Sequence, residues 1–529
     1  MKTKLNYRRT ILVGFAFFLI SAFWQAYDNA IPLTLTNKFG MSQAGSGVVM
    51  ALDNVLAVIL LPIFGALSDR CRSKRGRRTP FVLVGTVLAS IMLVFLTFAD
   101  NAQLSNIRAV EEYNPTSLGV IFDSQAGKTL KTPDGEEFVL SNGGEANAIS
   151  RDQFLAIPRE VKNDAGKEVT NADYTDYVAP ARQAYAAQVT EEHGGALVWF
   201  MVLLLGVLVS MAIFRSPAVA LMPDVTLKPL RSKGNAIINL MGTAGGILVL
   251  LLGKAVFDTS AARNSLMSYT GFFGLVIVIM LLALTVFMTR VKEPQWAAEM
   301  LEKSRELGLE EAPQEDKKKA KKEKVRKLSK GELGSLLLIL LSVALWYMGY
   351  NAVTSKYSVY SSNVLNKDYN TTLLIAQGAA IISYLPVGMI ASRLGRKKTI
   401  LAGVAMLATA FGAASFMRAD SPDAVMYVLF ALAGIAWATI NVNSFPMVVE
   451  LCTGGNVGRY TGFYYTASMA AQAITPWIAG WFMDKIAWTA LFPYAAIFVG
   501  LAFVTMFFVR HGDSKPQAKK GLEALDTDD

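Results

Sequence analysis

Twelve times along this chain an apolar run of about twenty residues or more is interrupted by a polar or charged connection, and that repetition constrains the fold more than any other feature. A hydrocarbon layer about 30 Å thick is crossed by roughly 20 helical residues, so runs of this length read as membrane-spanning helices. They are expected at about residues 11–35, 45–68, 80–99, 196–223, 235–257, 267–289, 334–356, 371–392, 399–417, 424–449, 459–482 and 489–509. With 53% hydrophobic residues and a positive mean hydropathy, a soluble fold of 529 residues would require several unusually apolar domains. Long apolar runs with short charged loops favour a polytopic membrane protein instead.

The connections carry the topology. Lys2, Lys4, Arg8 and Arg9 precede the first run, which has no small-residue cleavage site and so reads as an uncleaved first span. Arg70, Arg72, Lys74, Arg75, Arg77 and Arg78 crowd the connection between the second and third runs. The positive-inside rule puts that loop, and with twelve spans both termini, on the cytoplasmic side of the cell membrane. Lys228, Arg231 and Lys233, the stretch Arg290 to Lys330, Arg393 to Lys398, and Arg510 with Lys519 and Lys520 fall on the same side. The net charge of +10 is therefore a topology signal, and no nucleic-acid partner is expected. Cys71 and Cys452 lie on that reducing side without metal spacing, so neither a disulfide nor a metal site is expected.

Two stretches break the regular pattern. Residues 100–195 hold about twice as many acids as bases and read as an extracytoplasmic insertion of α+β type. In it Thr132 to Leu140 has an Asp-Gly turn beside alternating apolar residues, suggesting a hairpin with Val120 to Phe122 nearby, and Tyr174 to Val189 suits a helix. The insertion is either a decorative domain, a lid over the outer vestibule or a docking site. Residues 291–333, with Lys317 to Lys324 at their core, read as a solvated cytoplasmic linker. The segments are then 1–99 (helices 1–3), 100–195 (insertion), 196–290 (helices 4–6), 291–333 (linker), 334–510 (helices 7–12) and 511–529 (tail). Gly388 to Lys398 echoes the stretch from Gly65, and Pro217 and Asp224 are echoed by Pro446 and Glu450. The two halves thus look like six-span copies.

Ionisable groups inside hydrocarbon cost about 3 kcal/mol or more each, which makes them candidates for function. Asp28, Asp53 and Arg215 are candidates of this kind well inside the expected spans. Asp28 and Asp53 lie 12 and 13 residues from a turn near Gly40, hence at matching depth. Such a pair could share a proton, coordinate a small cation or merely hydrogen-bond between helices. Arg215 should sit well below them, as a hydroxyl donor or a gate cation. His193 and His511 fall outside the spans, so proton coupling would run through carboxylates. Amides bond paired hydroxyls and aromatic faces take C–H faces, so such residues inside the spans are candidates to bind a small molecule. The candidates are Trp24, Gln25 and Asn29, clustered about Asp28, with Asn54, Arg215, Asn239, Tyr347, Asn351, Trp437, Asn441 and Gln472.

The basic loop also carries a resemblance. Gly-x-x-Ser-Asp-Arg-x-x-Ser-x-x-Gly-Arg-Arg-x-Pro, from Gly65 to Pro80, is similar to the helix 2–3 loop of major facilitator superfamily transporters. Its expanded form resembles the sucrose/proton symporters and the glycoside-pentoside-hexuronide:cation symporters. The likeness implies two six-helix bundles in the major facilitator fold. It also implies a gating loop of Gly65, Asp69, Arg70, Gly76, Arg77 and Arg78, mirrored by Arg393 and Arg396 in the second half. Ser216 to Asp224 resembles the end of the fourth span of the sucrose symporters, followed as there by an Arg and an Asn-Ala pair, here Arg231 and Asn235-Ala236. Two departures matter. Plant members carry a coupling acid where Leu208 to Ala212 is apolar, and melibiose-type relatives carry aspartates where Ala57 and Leu61 stand. Asp28 and Asp53 are left to take that part.

The expectation is thus an all-α, twelve-span monomer importing a sugar or glycoside, of the sucrose or maltose kind, with a proton or sodium ion by alternating access. An exporter of amphipathic compounds and a non-transporting membrane sensor remain as alternatives. No nucleotide-binding loop or nucleophile elbow occurs, so neither a cofactor nor an enzymatic activity is expected.

Overall fold

The structure, a computed structural model, describes residues 5–512 apart from 144–146, 163–167, 228–229, 257–265, 307–328 and 452–456. Among the described residues twelve long helices match the expected runs one for one. The first six segments are α1 (Tyr7–Leu33), α2 (Gln43–Arg70), α3 (Thr79–Asn106) and the short helices α4 (Pro115–Gln125), α5 (Arg151–Leu155) and α6 (Ala179–Glu192). They are followed by α7 (Gly195–Val225), α8 (Arg231–Val256), α9 (Thr270–Arg290) and α10 (Glu293–Glu306). The second half holds α11 (Lys330–Tyr360), α12 (Tyr369–Leu394), α13 (Arg396–Ala414), α14 (Asp423–Glu450), α15 (Val457–Lys485) and α16 (Leu491–Phe507). Among the described residues ten helices are long and apolar enough to cross a membrane; α12 and α15 are the two long ones outside that set.

Local chemistry explains the boundaries. Asn6 and Ser42 accept an amide hydrogen bond at the starts of α1 and α2, and Ser329 with Glu332 forms a capping box at α11. Gly395, at φ +91°, breaks the chain between α12 and α13, a conformation a side chain rarely tolerates. Pro32, Pro217, Pro386, Pro446 and Pro476 sit inside helices, each removing one backbone donor and inviting a bend.

Helices α1–α3 with α7–α9 form one bundle, and α11–α16 form the other. Within them α1 packs on α8, α3 on α7, α12 and α13 on α14, and α11 on α16. The halves meet mainly where α2 lies against α15, with further contact of α1 with α11 and α8 with α12. Phe23, Phe214, Phe287, Trp346, Tyr357 and Tyr360 are almost fully buried in the joint core. Val58, Ile59, Phe98, Leu282, Ile382 and Val428 are exposed along helix faces. Apolar surface of that extent is at home in lipid rather than water.

Several boundaries differ from expectation. Helix α1 continues through a π-helical turn to Lys38, and α3 runs on to Asn106, so both are longer than their apolar runs. The insertion is a small module with its own core, which includes Phe122, Phe138, Leu140, Phe154 and Val178. Strands β1 (Thr129–Lys131) and β2 (Glu137–Leu140) form the hairpin around the Asp-Gly turn, with Leu130 opposite Phe138, and β3 (Ala148–Ile149) adds in parallel. Val120 to Phe122 is not a strand but part of α4, where Leu118, Ile121 and Phe122, at i, i+3 and i+4, reach the module core from one face of the helix. A second small sheet pairs β4 (Glu160–Lys162) with β5 (Glu168–Thr170). The linker is not solvated throughout either. Its start folds as α10, whose Glu293 and Trp296 are buried against the first half. The Lys317-rich core, Cys452 and the tail from residue 513 lie outside the described residues.

Candidate functional site

A cavity of about 470 Å³ lies between the halves. From the first half it takes Ser21, Trp24, Gln25, Asp28 and Asn29 on α1, and Asn239 and Thr243 on α8. From the second it takes Tyr350 and Thr354 on α11, Gln377 and Tyr384 on α12, and Trp437 on α14. The Tyr350 and Trp437 rings stack at 3.5 Å between centroids, nearly parallel, and make an aromatic wall. Gln377 Nε2 donates to Gln25 Oε1 at 2.7 Å and ties the halves across the cavity, leaving each amide capacity for further hydrogen bonds. Asn29 spends its amide on the Gln25 carbonyl one turn back.

A second cavity, of about 190 Å³, shares Trp24, Asp28 and Thr354 with the first. It holds Asp53, Asn54, Arg215, Asn351 and Gln472 as well. Asp28 and Asp53 therefore line one space, as matching depth on neighbouring helices requires. Arg215 was expected well below them and instead lines the same cavity, its guanidinium over the Trp24 ring at 5.3 Å. A long side chain reaches along its helix, so residue counting along α7 underestimates how near the charge comes. Arg215 interacts electrostatically with both carboxylates, while among the described residues no ion pair joins it to either. Asn54 donates to Asp53 at 2.9 Å, and Asn351 donates to the Gln472 carbonyl at 3.0 Å. The Trp24 indole N–H is buried without a partner among the described residues, a donor left over for a bound molecule.

Two expected site residues do not line these cavities. Tyr347 stands behind the wall, edge-on to Trp437 at 5.2 Å, and Asn441 is buried in the second half. Tyr350 and Gln377, which are likewise aromatic or amide residues inside the expected spans, take the corresponding places.

Three buried charges, Lys38, Asp100 and Lys356, stand at or just past the ends of the expected spans and shape the face on which the module sits. Lys38 Nζ lies 2.6 and 2.8 Å from the Asp100 carboxylate, with the lysine fully buried and 4.2 Å above the Tyr269 ring. Lys356, also fully buried, donates to the Gln43 carbonyl of the other half at 2.6 Å. Asp484 at the end of α15 accepts the amides of Gln43 and Ala44 at 2.8 and 2.7 Å, capping α2 from across the interface. Asn37 and Asn363 exchange hydrogen bonds between halves in the same region. Among the described residues, the hydrogen bonds between the bundles lie at the cavity or toward this face.

The opposite, basic face has its own network. Arg78 bonds Asp69 and the Ser68 hydroxyl, and Arg77 and Arg78 both pair with Asp224 of α7 at 2.6 and 2.8 Å. A Cβ at Gly65 would stand 2.9 Å from the Ser216 hydroxyl, so α2 and α7 approach closely there. Glu293 accepts the amides of Arg77, Arg78 and Thr79 and the Thr79 hydroxyl, capping α3 from α10. Gly76, at φ +107°, turns the loop against that same carboxylate. Arg70 is exposed. In the second half Arg393 is exposed and Arg396 half-buried, and Lys397 bonds the carbonyls of Phe507 and Val509.

A family model described as Major Facilitator Superfamily matches residues 184–383 and 368–526, and one described as MFS/sugar transport protein matches 12–110. The sucrose transport protein SUC3 of Arabidopsis thaliana is 37% identical over 74 residues, 13% of this chain and 12% of that protein. The putative glycoside/cation symporter YagG of Escherichia coli is 35% identical over 75 residues, 14% and 16% of the two chains. These alignments span less than a fifth of those relatives. The solved inward-open xylose transporter XylE of E. coli superposes with a TM-score of 0.58 at 15% identity, covering 98% of this chain and 99% of that one. A solved peptide transporter gives 0.54 at 10%, covering 95% and 93%. At such identities the likeness is one of fold.

Proposed function

We propose, for a chain that belongs to the major facilitator superfamily, that it is a secondary transporter carrying a sugar or glycoside together with a proton or small cation. All twelve long helices cross the membrane in this reading, with the basic loops in the cytoplasm and the module outside. The carrying observation is the pair of joined cavities between the halves. The larger is lined by amides, hydroxyls and a stacked Tyr350–Trp437 wall, and its volume falls in the range of about 300–1,000 Å³ used for small molecules. Amides and hydroxyls bond sugar hydroxyls pairwise, and the aromatic wall takes the C–H face of a ring. A disaccharide of the sucrose or maltose kind is the substrate proposed, a choice supported by the short alignments to sucrose and glycoside carriers.

The smaller cavity is the coupling site. Asp28 faces both spaces, so a substrate in the larger one alters the surroundings of a carboxylate whose charge Asp53 and Arg215 also set. When Asp28 takes up the ion, Arg215 is left to Asp53; when it releases the ion, the guanidinium is shared. In this reading the halves, held together on the module side, stand in a conformation closed to the outside. The test is uptake of radiolabelled sucrose and maltose by reconstituted protein, with and without a pH or sodium gradient. Asp28→Asn should abolish accumulation against a gradient while leaving counterflow exchange measurable. Wild-type accumulation in that variant would end the assignment.

A further inference from the structure

We propose that the module between α3 and α7 is a latch that joins the two halves on its own face and biases the molecule toward the conformation closed there. The module is fixed to the first half. Its chain is continuous with α3 and α7, and Gln103 at the end of α3 bonds both the Lys38 carbonyl and Thr190 of α6 at 2.8 Å. The turn after α1 lies so close to α6 that a Cβ on Gly40 would fall 2.2 Å from the Ala187 nitrogen. Leu266, from the connection before α9, is part of the module core.

From this base the module reaches all three corners of the second half on that face. Thr175 meets Asn366 in the connection from α11 to α12 at 3.4 Å. Asp134, in the hairpin turn, pairs with Arg418 in the connection from α13 to α14 at 3.4 Å. At the corner from α15 to α16, the Thr489 amide donates to the Pro133 carbonyl at 3.3 Å. Gly135, at φ +91°, presses against the same corner, where a Cβ would stand 2.5 Å from the Ile486 carbonyl. A body rigid on one half and touching every corner of the other must let go before the halves part on this side. None of these contacts is needed to build either bundle. Closure, not folding, is therefore what they stabilise.

The latch is testable without substrate, so its failure is separable from that of the transport reading. Ser46, on α2 near this face, is fully buried, its hydroxyl without a partner among the described residues. As Ser46→Cys, in a full-length background with Cys71→Ser and Cys452→Ser, its rate of modification by a membrane-impermeant maleimide in proteoliposomes reads how often this face opens. Arg418→Asp adds a like charge beside Asp134, and Gly135→Leu wedges the hairpin turn from Ile486. Each should raise the rate by roughly tenfold, the order expected for losing a hydrogen bond or an ion pair and a close contact. Reversing the pair with Asp134→Arg and Arg418→Asp together should bring the rate back toward that of the parent. Unchanged rates in both single variants would overturn the latch, as would a double variant no slower than Arg418→Asp alone.

Discussion

Removal of the Glu293 carboxylate offers a measurable test of how the basic loop is held. Glu293 is 2% exposed and accepts hydrogen bonds from the Arg77, Arg78 and Thr79 amides at 2.8, 2.9 and 2.8 Å, and from the Thr79 hydroxyl at 2.7 Å. These are the orphan donors at the start of α3, where a negative charge also meets the helix dipole. Glu293→Ala strands three amides. At about 1 kcal/mol each, the low end of the cost for unmet buried donors because water can enter the space vacated, the loss is about 3 kcal/mol. Each 1.4 kcal/mol is about tenfold, so exchange of these amides should speed up by roughly a hundredfold. Glu293→Gln keeps one carbonyl acceptor but no charge, and should cost about half as much. Hydrogen–deuterium exchange by mass spectrometry on peptides covering residues 75–82 reads this directly. If both variants exchange within about threefold of the parent, or if the glutamine variant is the worse, the capping account is wrong.

Three further outcomes follow from the same geometry. Lys38→Met leaves Asp100 buried without its partner, which should cost about 3–5 kcal/mol, and adding Asp100→Leu should recover most of it, as judged by thermal stability in detergent. Gly65→Leu inserts a side chain where a Cβ alone would sit 2.9 Å from Ser216, so turnover should fall while sugar-induced thermal stabilisation persists; unimpaired transport would refute the close approach. In the module, burial and the neighbouring Asp134, Asp173 and Glu136 push the Asp176 carboxyl up to about 6 against the opposing Arg418. A carboxyl held above its usual value in the folded module adds stability when protonated, so that contribution is complete below about pH 4 and is lost as pH rises through 6. Hydrogen–deuterium exchange of peptides covering residues 174–178 should quicken across that window, and Asp176→Asn should flatten the rise.

The helices were legible because hydrocarbon demands length and apolarity of every crossing, a demand met in a single run of sequence without reference to any partner. Asp28, Asp53 and Trp24 were legible for the complementary reason that a charge or a large polar aromatic among apolar residues needs an explanation. Lys38, Asp100 and Lys356 were not, because each stands at or just past the end of an apolar run, where a charge normally meets water. Their burial follows from helices that continue beyond the run and from neighbours supplied by distant segments. Glu293 was hidden likewise in a connection whose composition reads as solvated. Tyr347 and Tyr350 differ by three positions on one helix, and Asn441 lies about one turn from Trp437 on another. Residues three or four apart share a helix face, so which of each pair reaches the cavity depends on how far along its helix the neighbouring helices open the space.

Composition and periodicity alone thus determined that the chain crosses a membrane many times, which loops share a face, and which ionisable groups lie at depth. Those properties depend on each segment's own transfer into lipid. Only the tertiary structure decided that Arg215 joins the two aspartates, that Glu293 caps α3, and that the module spans both halves. Each of those depends on side chains far apart in sequence meeting at hydrogen-bonding range, and that distance is set by packing between helices rather than by any one of them.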